Sequence, residues 1–198
     1  GGLNVSAGIA LTNPKKSDSF SLALGLGGFG GAGGDAGHVD ASSIGAFDGQ
    51  EFTQSLLIAN GDNHAAFLAQ SIGGGGGNGA INVSGGISTS GNLTLGIGGF
   101  GSAGGKAGNV DAYVRSDVFA AGENSAGVVA QSLGGGGGMG GINVSGGVTY
   151  DKDATLPNLV LGIGGFGGDG NTAGNVTVDQ SGYIGVEGGS TIGILAQS

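Results

Sequence analysis

The phrase Phe67-Leu68-Ala69-Gln70-Ser71-Ile72 runs directly into five glycines, Gly73 to Gly77. It returns as Val128-Val129-Ala130-Gln131-Ser132-Leu133 before Gly134 to Gly138, and once more as Ile194-Leu195-Ala196-Gln197-Ser198. A short β-type run joined to a glycine tract and copied three times is the signature of stacked repeats, not of an active site.

Three large repeats can be laid out around this phrase, at residues 1–79, 80–140 and 141–198, and together they form a single array over 1–198. Each opens on a strand cassette: Leu3-Asn4-Val5-Ser6, Ile81-Asn82-Val83-Ser84 and Ile142-Asn143-Val144-Ser145. An alternating run follows, Leu22-Ala23-Leu24-Gly25-Leu26, Leu93-Thr94-Leu95-Gly96-Ile97 and Leu159-Val160-Leu161-Gly162-Ile163, and leads into Gly-Gly-Phe-Gly around Phe29, Phe100 and Phe166. A third cassette is Ala36-Gly37-His38-Val39-Asp40, Ala107-Gly108-Asn109-Val110-Asp111 and Ala173-Gly174-Asn175-Val176-Thr177. The spacing changes only in the connectors, and repeat one carries its extra material between Gly45 and Gly61. Surface connectors are where a repeat architecture accepts insertions.

Composition restricts the fold. Glycine supplies 53 of 198 residues, with Pro 2 and Cys 0. Collagen is excluded, because it needs strict Gly-X-Y and abundant proline. A disordered linker lacks apolar runs, whereas 38% of this chain is apolar, in short Val, Ile and Leu runs. Helix is excluded too, since each interior glycine costs a helix about 1 kcal/mol relative to alanine. The expectation is an all-β repeat solenoid, a parallel β-helix with glycine-rich runs. The alternative is a sandwich of polyglycine helices with three residues per turn. With coils of ~20–25 residues the array would hold about nine coils, roughly 40 Å of stacked strands. The matching residues Gln70, Gln131 and Gln197, and Asn4, Asn82 and Asn143, would then lie about three coils apart. The Ala-Gln-Ser strand is apolar on both alternations, which predicts cover on both faces, with the glycine tracts as the nearest cover.

The net charge of −9 argues against nucleic acid and anionic membranes as partners. The first residue is glycine and the chain stops inside a repeat phrase, so it is expected to be a piece of a longer protein. Motifs for chemistry are weak. Gly25-Leu26-Gly27-Gly28-Phe29-Gly30 fits a dinucleotide fingerprint, but more glycine follows where a helix is needed. The run from Gly30 to Gly37 nearly meets a calcium nonapeptide around Asp35, yet Lys106 and Thr172 occupy the aligned places. His38 aligns with Asn109 and Asn175 and reads as a turn residue; His64 beside Asp62 lacks a nucleophile. Asp48 and Glu51 could form a sugar-cleaving pair but flank a loop. No cofactor or metal is expected. Candidate binding residues lie in the variable connectors: Lys15, Lys16, Asp48, Glu51, His64, Asp151 and Lys152.

On the three Ala-Gln-Ser strands with their glycine tracts, and on the Ala-Gly-Asn-Val cassettes, the chain resembles the passenger region of bacterial autotransporters. The resemblance implies a right-handed parallel β-helix, export across the outer membrane and display on the cell surface in adhesion, aggregation or biofilm. Its implied partners are flanking repeats of the same longer chain and a host-surface, glycan or self-association partner. It implies contact with the membrane only through a barrel lying outside this chain. It carries over no catalytic residues. The rivals are a phage- or filament-type polyglycine-helix adhesin and a glycan-processing enzyme on a β-helix.

Overall fold

The computed structural model describes residues 2–11, 19–47, 49, 52–150 and 156–198. Among these residues there is no helix. In chain order the strands are β1 (Leu3–Ala10), β2 (Phe20–Leu26), β3 (Val39–Ile44), β4 (Ala46–Phe47), β5 (Phe52–Thr53), β6 (Ser55–Asn60), β7 (Ala65–Ile72), β8 (Ile81–Ser88), β9 (Gly91–Ile97), β10 (Val110–Ala121), β11 (Ala126–Leu133), β12 (Asn143–Thr149), β13 (Asn158–Ile163), β14 (Val176–Gln180), β15 (Ile184–Glu187) and β16 (Ile192–Gln197). They fall in two compact units. The first comprises Gly1–Gly33, Gly75–Gly104 and Gly136–Gly170; the second comprises Gly34–Gly74, Gly105–Gly135 and Asn171–Ser198. Every repeat contributes to both.

The first unit holds two parallel sheets, β1-β8-β12 and β2-β9-β13. Register matches phrase to phrase: Asn4 lies against Asn82 and Asn82 against Asn143, while Leu24 lies against Leu95 and Leu95 against Leu161. Each repeat is therefore one layer. This corrects the expectation of about nine coils with matching residues three coils apart. One repeat spends its residues on several sheets before it returns, so its equivalent phrases become direct neighbours.

The interior of this unit is polar. Asn82, Ser84 and Ser88 of β8 point inward, as do Asn92 and Thr94 of β9, and Asn82, Asn92 and Thr94 are completely buried. The Leu-x-Leu-Gly-x phrase explains how they fit. A Cβ on Gly25 would lie 2.1 Å from Ser84 Oγ and 2.5 Å from Asn82 Oδ1, so only glycine leaves room for the amide row. The alternate residues point outward, and Leu3, Val5 and Ile9 of β1 and Leu22, Leu24 and Leu26 of β2 are all more than half exposed.

The glycine runs of this unit hydrogen-bond at every third residue. Gly27, Gly30 and Gly33 donate to the carbonyls of Ile97, Phe100 and Ala103 at 2.7–2.9 Å; Gly98, Gly101 and Gly104 donate onward to Ile163, Phe166 and Asp169. The return runs interleave. Gly77 and Ala80 donate to Gly31 and Gly28, Ser102 and Gly99 donate to Gly77 and Ala80, and Gly138 and Gly141 donate to Ser102 and Gly99. A period of three sends successive N–H groups to different neighbours, as an extended three-residue turn does. The described glycines with positive φ are Gly49, Gly61, Gly122, Gly182 and Gly188, all outside these runs. Close approach is what the runs require: a Cβ on Gly138 would sit 2.0 Å from the Gly77 carbonyl oxygen.

The second unit is built conventionally. The long strand β10 pairs in parallel with β3 and β6 on one side and with β14 and β15 on the other; β7, β11 and β16 form the opposing sheet. Val110, Ala112, Val114 and Val118 pack against Ala69, Val128 and Ala130 in its core. The extra material of repeat one includes the antiparallel pair β4–β5, placed between β3 and β6. One turn recurs in every layer of this unit: Gly61 to His64, Gly122 to Ser125 and Gly188 to Thr191. It has positive φ at the glycine and again at Asn63, Asn124 and Ser190. In the middle layer Val128 and Ala130 on one face of the Ala-Gln-Ser strand and Val129 on the other are buried, as expected, but in the first layer the double cover holds on one face only. Ala69 and Ser71 are buried, but Leu68 and Ile72 on the other face are 55% and 54% exposed. The glycine cassettes meet the strand on the buried face, where Ser71 contacts Gly37 and Gly108, and leave its outer side open.

Candidate functional site

The residues that the repeats single out come together as rows, one member per layer. Gln70 Nε2 donates to Gln131 Oε1, and Gln131 Nε2 donates to Gln197 Oε1 at 2.8 Å. In the first unit Asn4 Nδ2 donates to Asn82 Oδ1 and Asn82 Nδ2 to Asn143 Oδ1, each at 2.7 Å. Phe29, Phe100 and Phe166 stack with ring centroids 5.0 and 5.6 Å apart and planes within 14° of parallel. Parallel in-register strands bring like side chains together, and amide ladders and stacked rings are the favourable outcome. Asn82 and Asn92 sit in N-x-[ST] frames but are fully buried, so the frames are ladder chemistry in this fold.

Sequence reasoning passed over the serine of the repeated phrase. Ser71 Oγ donates to the Gly37 carbonyl at 2.8 Å and accepts from Gly108 N–H at 2.9 Å. Ser132 Oγ does the same with Gly108 and Gly174, and Ser198 Oγ donates to Gly174. Each hydroxyl thus clips the strand to the glycine cassettes of its own and the next layer. The signal was present as a serine following glutamine in all three copies.

The candidates for chemistry take structural roles where they are described. Asp35 Oδ1 accepts from Lys106 N–H at 2.7 Å, which joins two layers where a calcium ligand was weighed. His64 does not pair with Asp62: Asp62 Oδ1 accepts from Glu123 N–H at 2.8 Å, while the His64 amide lies 3.5 Å from Ser125 Oγ. His38 Nε2 is 3.6 Å from Asp111 Oδ2 on an exposed face. Arg115 reaches Asp179 at 3.8 Å, also exposed. Lys15, Lys16, Asp48, Glu51, Asp151 and Lys152 lie outside the described residues. Among the described residues no three His, Asp or Glu side chains gather as metal ligands do.

Charge divides with the units. Ten of the fourteen carboxylates and two of the five cations belong to the second unit, giving it −8 and the first unit −1 of the total −9. The surfaces available for recognition are therefore an anionic face around Asp40, Asp111, Asp117 and Asp179 in one unit, and uncharged aliphatic sheet faces in the other.

No family model matches this chain, and no curated protein matches it. Among solved structures it has some similarity to a nine-helix polyproline type II bundle antifreeze protein of the springtail Granisotoma rainieri. The identity is 18% over 87% of this chain and 94% of that chain, with a TM-score of 0.12, too low to carry an argument.

Proposed function

We propose that this chain is a non-enzymatic structural and adhesive segment of a secreted or surface-displayed bacterial protein. Its layers are turns of a right-handed parallel β-helix of the autotransporter passenger kind. It works outside the cell as a spacer and display scaffold. Binding comes from the variable connectors around Lys15 and Lys16, Asp48 and Glu51, His64, and Asp151 and Lys152. Its partners are flanking repeats and a glycan or host-surface ligand.

The observation that supports this reading is that the repeated residues are used up in holding layers together. Gln, Asn, Phe and Ser rows all bond to their own counterparts or to backbone. Positions that repeat are scaffold, and the positions that vary between layers are left for recognition. One experiment tests it. The chain and versions with residues 12–18, 46–53 or 151–155 replaced by short Gly-Ser links, which leave β6 and the recurring turn in place, are screened against glycans and extracellular-matrix proteins. Binding that is lost with one connector and kept with the others supports the reading; binding unaffected by every replacement overturns it.

A second reading is favoured by the period-three hydrogen bonding of the glycine runs. On it the chain is a polyglycine-helix adhesin of phage or filament type, with the strands as accessory layers. Its binding loops would lie at the tip of the helix sandwich, and φ near −75° throughout the glycine runs would favour it over stacked strands. An enzyme on the same scaffold would need Asp48, Glu51 or His64. Polysaccharide turnover that falls with Asp48→Asn and Glu51→Gln would bring that alternative forward.

A further inference from the structure

One sheet face of the second unit breaks the repeat. On the opposing sheet the outward rows read Leu68, Val129 and Leu195, then Gln70, Gln131 and Gln197. On the outer face of the β10 sheet they read Ser42, Tyr113 and Asp179, then Leu56, Asp117 and Tyr183, then Ile58, Phe119 and Gly185. Repeated positions hold the layers together in this fold, and a face whose rows vary is left for recognition. Side chains do the reading there, because β10 is paired on both sides and admits no added strand.

The chemistry of this face is aromatic and anionic. A Cβ on Gly185 would lie 2.9 Å from Phe119 Cδ2 and 3.0 Å from Tyr183 Cε1. Gly185 is buried, so the two rings lie down over its bare backbone. Tyr183 is 72% exposed and Tyr113 37%. Asp117 Oδ1 accepts from Tyr183 N–H at 2.8 Å, which sets Tyr183 level with Asp117. Tyr113 is four residues away along β10, about 13 Å at ~3.3 Å per residue. Aromatic surfaces at that spacing suit an extended ligand with several rings. Five carboxylates, those of Asp40, Asp111, Asp117, Asp179 and Glu187, share the face with the Arg115 guanidinium, in the unit that carries −8. Nitrogen-bearing groups already rest on two of them: His38 Nε2 is 3.6 Å from Asp111, and Arg115 is 3.8 Å from Asp179.

We propose that the outer face of the β10 sheet binds an extended polysaccharide of amino sugars with free amines. Sugar rings lay their C–H faces on Tyr113 and on the Phe119–Tyr183 pair, as apolar faces do on aromatic rings. Ammonium groups sit among Asp111, Asp117 and Asp179, with cation–π attraction from the neighbouring rings. Charge selects the ligand: the field of this face gathers cations and repels sulfated or carboxylated glycans. This site is distinct from the connectors, since none of its residues lies in a replaced segment.

Calorimetric titration of the purified chain with an oligomer of glucosamine, in mildly acidic buffer that keeps its amines charged, tests the proposal. The expected result is binding that weakens with salt, is weaker for the N-acetylated oligomer and is absent for a sulfated glycan. Tyr113→Ala and Tyr183→Ala should each lower affinity about threefold or more, while Tyr183→Phe keeps it. Asp111→Asn with Asp179→Asn should lower affinity about tenfold and flatten its salt dependence. Circular dichroism checks the fold of each variant, and leucine replaces alanine where a tyrosine variant unfolds. No binding of the glucosamine oligomer, equal binding of the sulfated glycan, or affinity untouched by both tyrosine variants would each overturn the proposal. An oligolysine that binds as tightly as the sugar would also overturn it, because charge alone would then explain the attraction. The chain with its connectors replaced should bind the oligomer unchanged; loss of binding there would overturn the sheet-face site and leave the connector reading standing.

Discussion

The two units invert each other. In the second, valines and alanines fill the space between sheets, and Asp40, Asp111 and Asp179 face outward. In the first, Asn82, Asn92 and Thr94 fill that space while leucines and isoleucines face outward. The same chain, with the same layer register, thus supports one core by apolar burial and the other by polar side chains that are hydrogen-bonded through the middle layer. Burial of a hydrogen-bonded amide is tolerated because its alternative, an unpaired amide, is so unfavourable. The difference teaches that alternation alone does not say which side of a strand is inside; the glycine that makes room decides it.

Substitutions can break or sharpen this contrast. The largest loss is expected for Gly138→Ala, where the new methyl would lie 2.0 Å from the Gly77 carbonyl oxygen. The backbone must move, at about 3 kcal/mol, the upper end for overpacking. Gly136→Ala in the same run is the control, since nothing lies within 4 Å of its added Cβ; urea denaturation should place it within about 0.5 kcal/mol of wild type. Asn82→Leu comes next. It removes the acceptor that Asn82 offers Asn4, which keeps its bond to the Leu26 carbonyl, and strands the Asn143 carbonyl oxygen, and it should cost about 2–3 kcal/mol in the same measurement. A neutral result would mean that the polar core is not held by its ladder.

In the apolar core, Val118→Ala should cost about 2 kcal/mol through lost burial and a cavity. Leu24→Ser, on the outer face of the polar-cored unit, should change stability by less than about 0.5 kcal/mol and lower the binding of an apolar dye. If Leu24→Ser proved as costly as Val118→Ala, the leucine face would be packed in solution and the inversion would not describe the free chain.

The strands were readable because each phrase has period two and a glycine or asparagine boundary. The repeats were readable because Asn4, Asn82 and Asn143 recur within the same words. The layer height was not. Coils of ordinary length put those asparagines far apart, although three identical amides are best explained as direct neighbours, since each needs both a donor and an acceptor. The polar core was hidden for a different reason. In Asn82-Val83-Ser84 either alternation could face inward, and apolar burial is the usual winner. Only the close fit of Gly25 over Asn82 and Ser84 reverses it, and that fit joins residues 57 positions apart. The serines of the clips recur with the phrase at Ser71, Ser132 and Ser198, but a serine at the end of a strand reads as a boundary residue, and its bonds to Gly37, Gly108 and Gly174 join positions far apart in sequence. The connectors that would confer binding are legible as variable and nothing more.

The row geometry bears on how such a chain can change over generations. Equivalent positions of successive repeats lie 61 to 78 residues apart and stay in register, as the steps from Gln70 to Gln131 and from Asn4 to Asn82 show. Duplicating or excising one whole block by unequal crossing-over would insert or remove a layer, and every amide and ring would find its counterpart again. Length is then a heritable quantity adjusted in whole steps, while connector sequences drift independently of the stack that carries them.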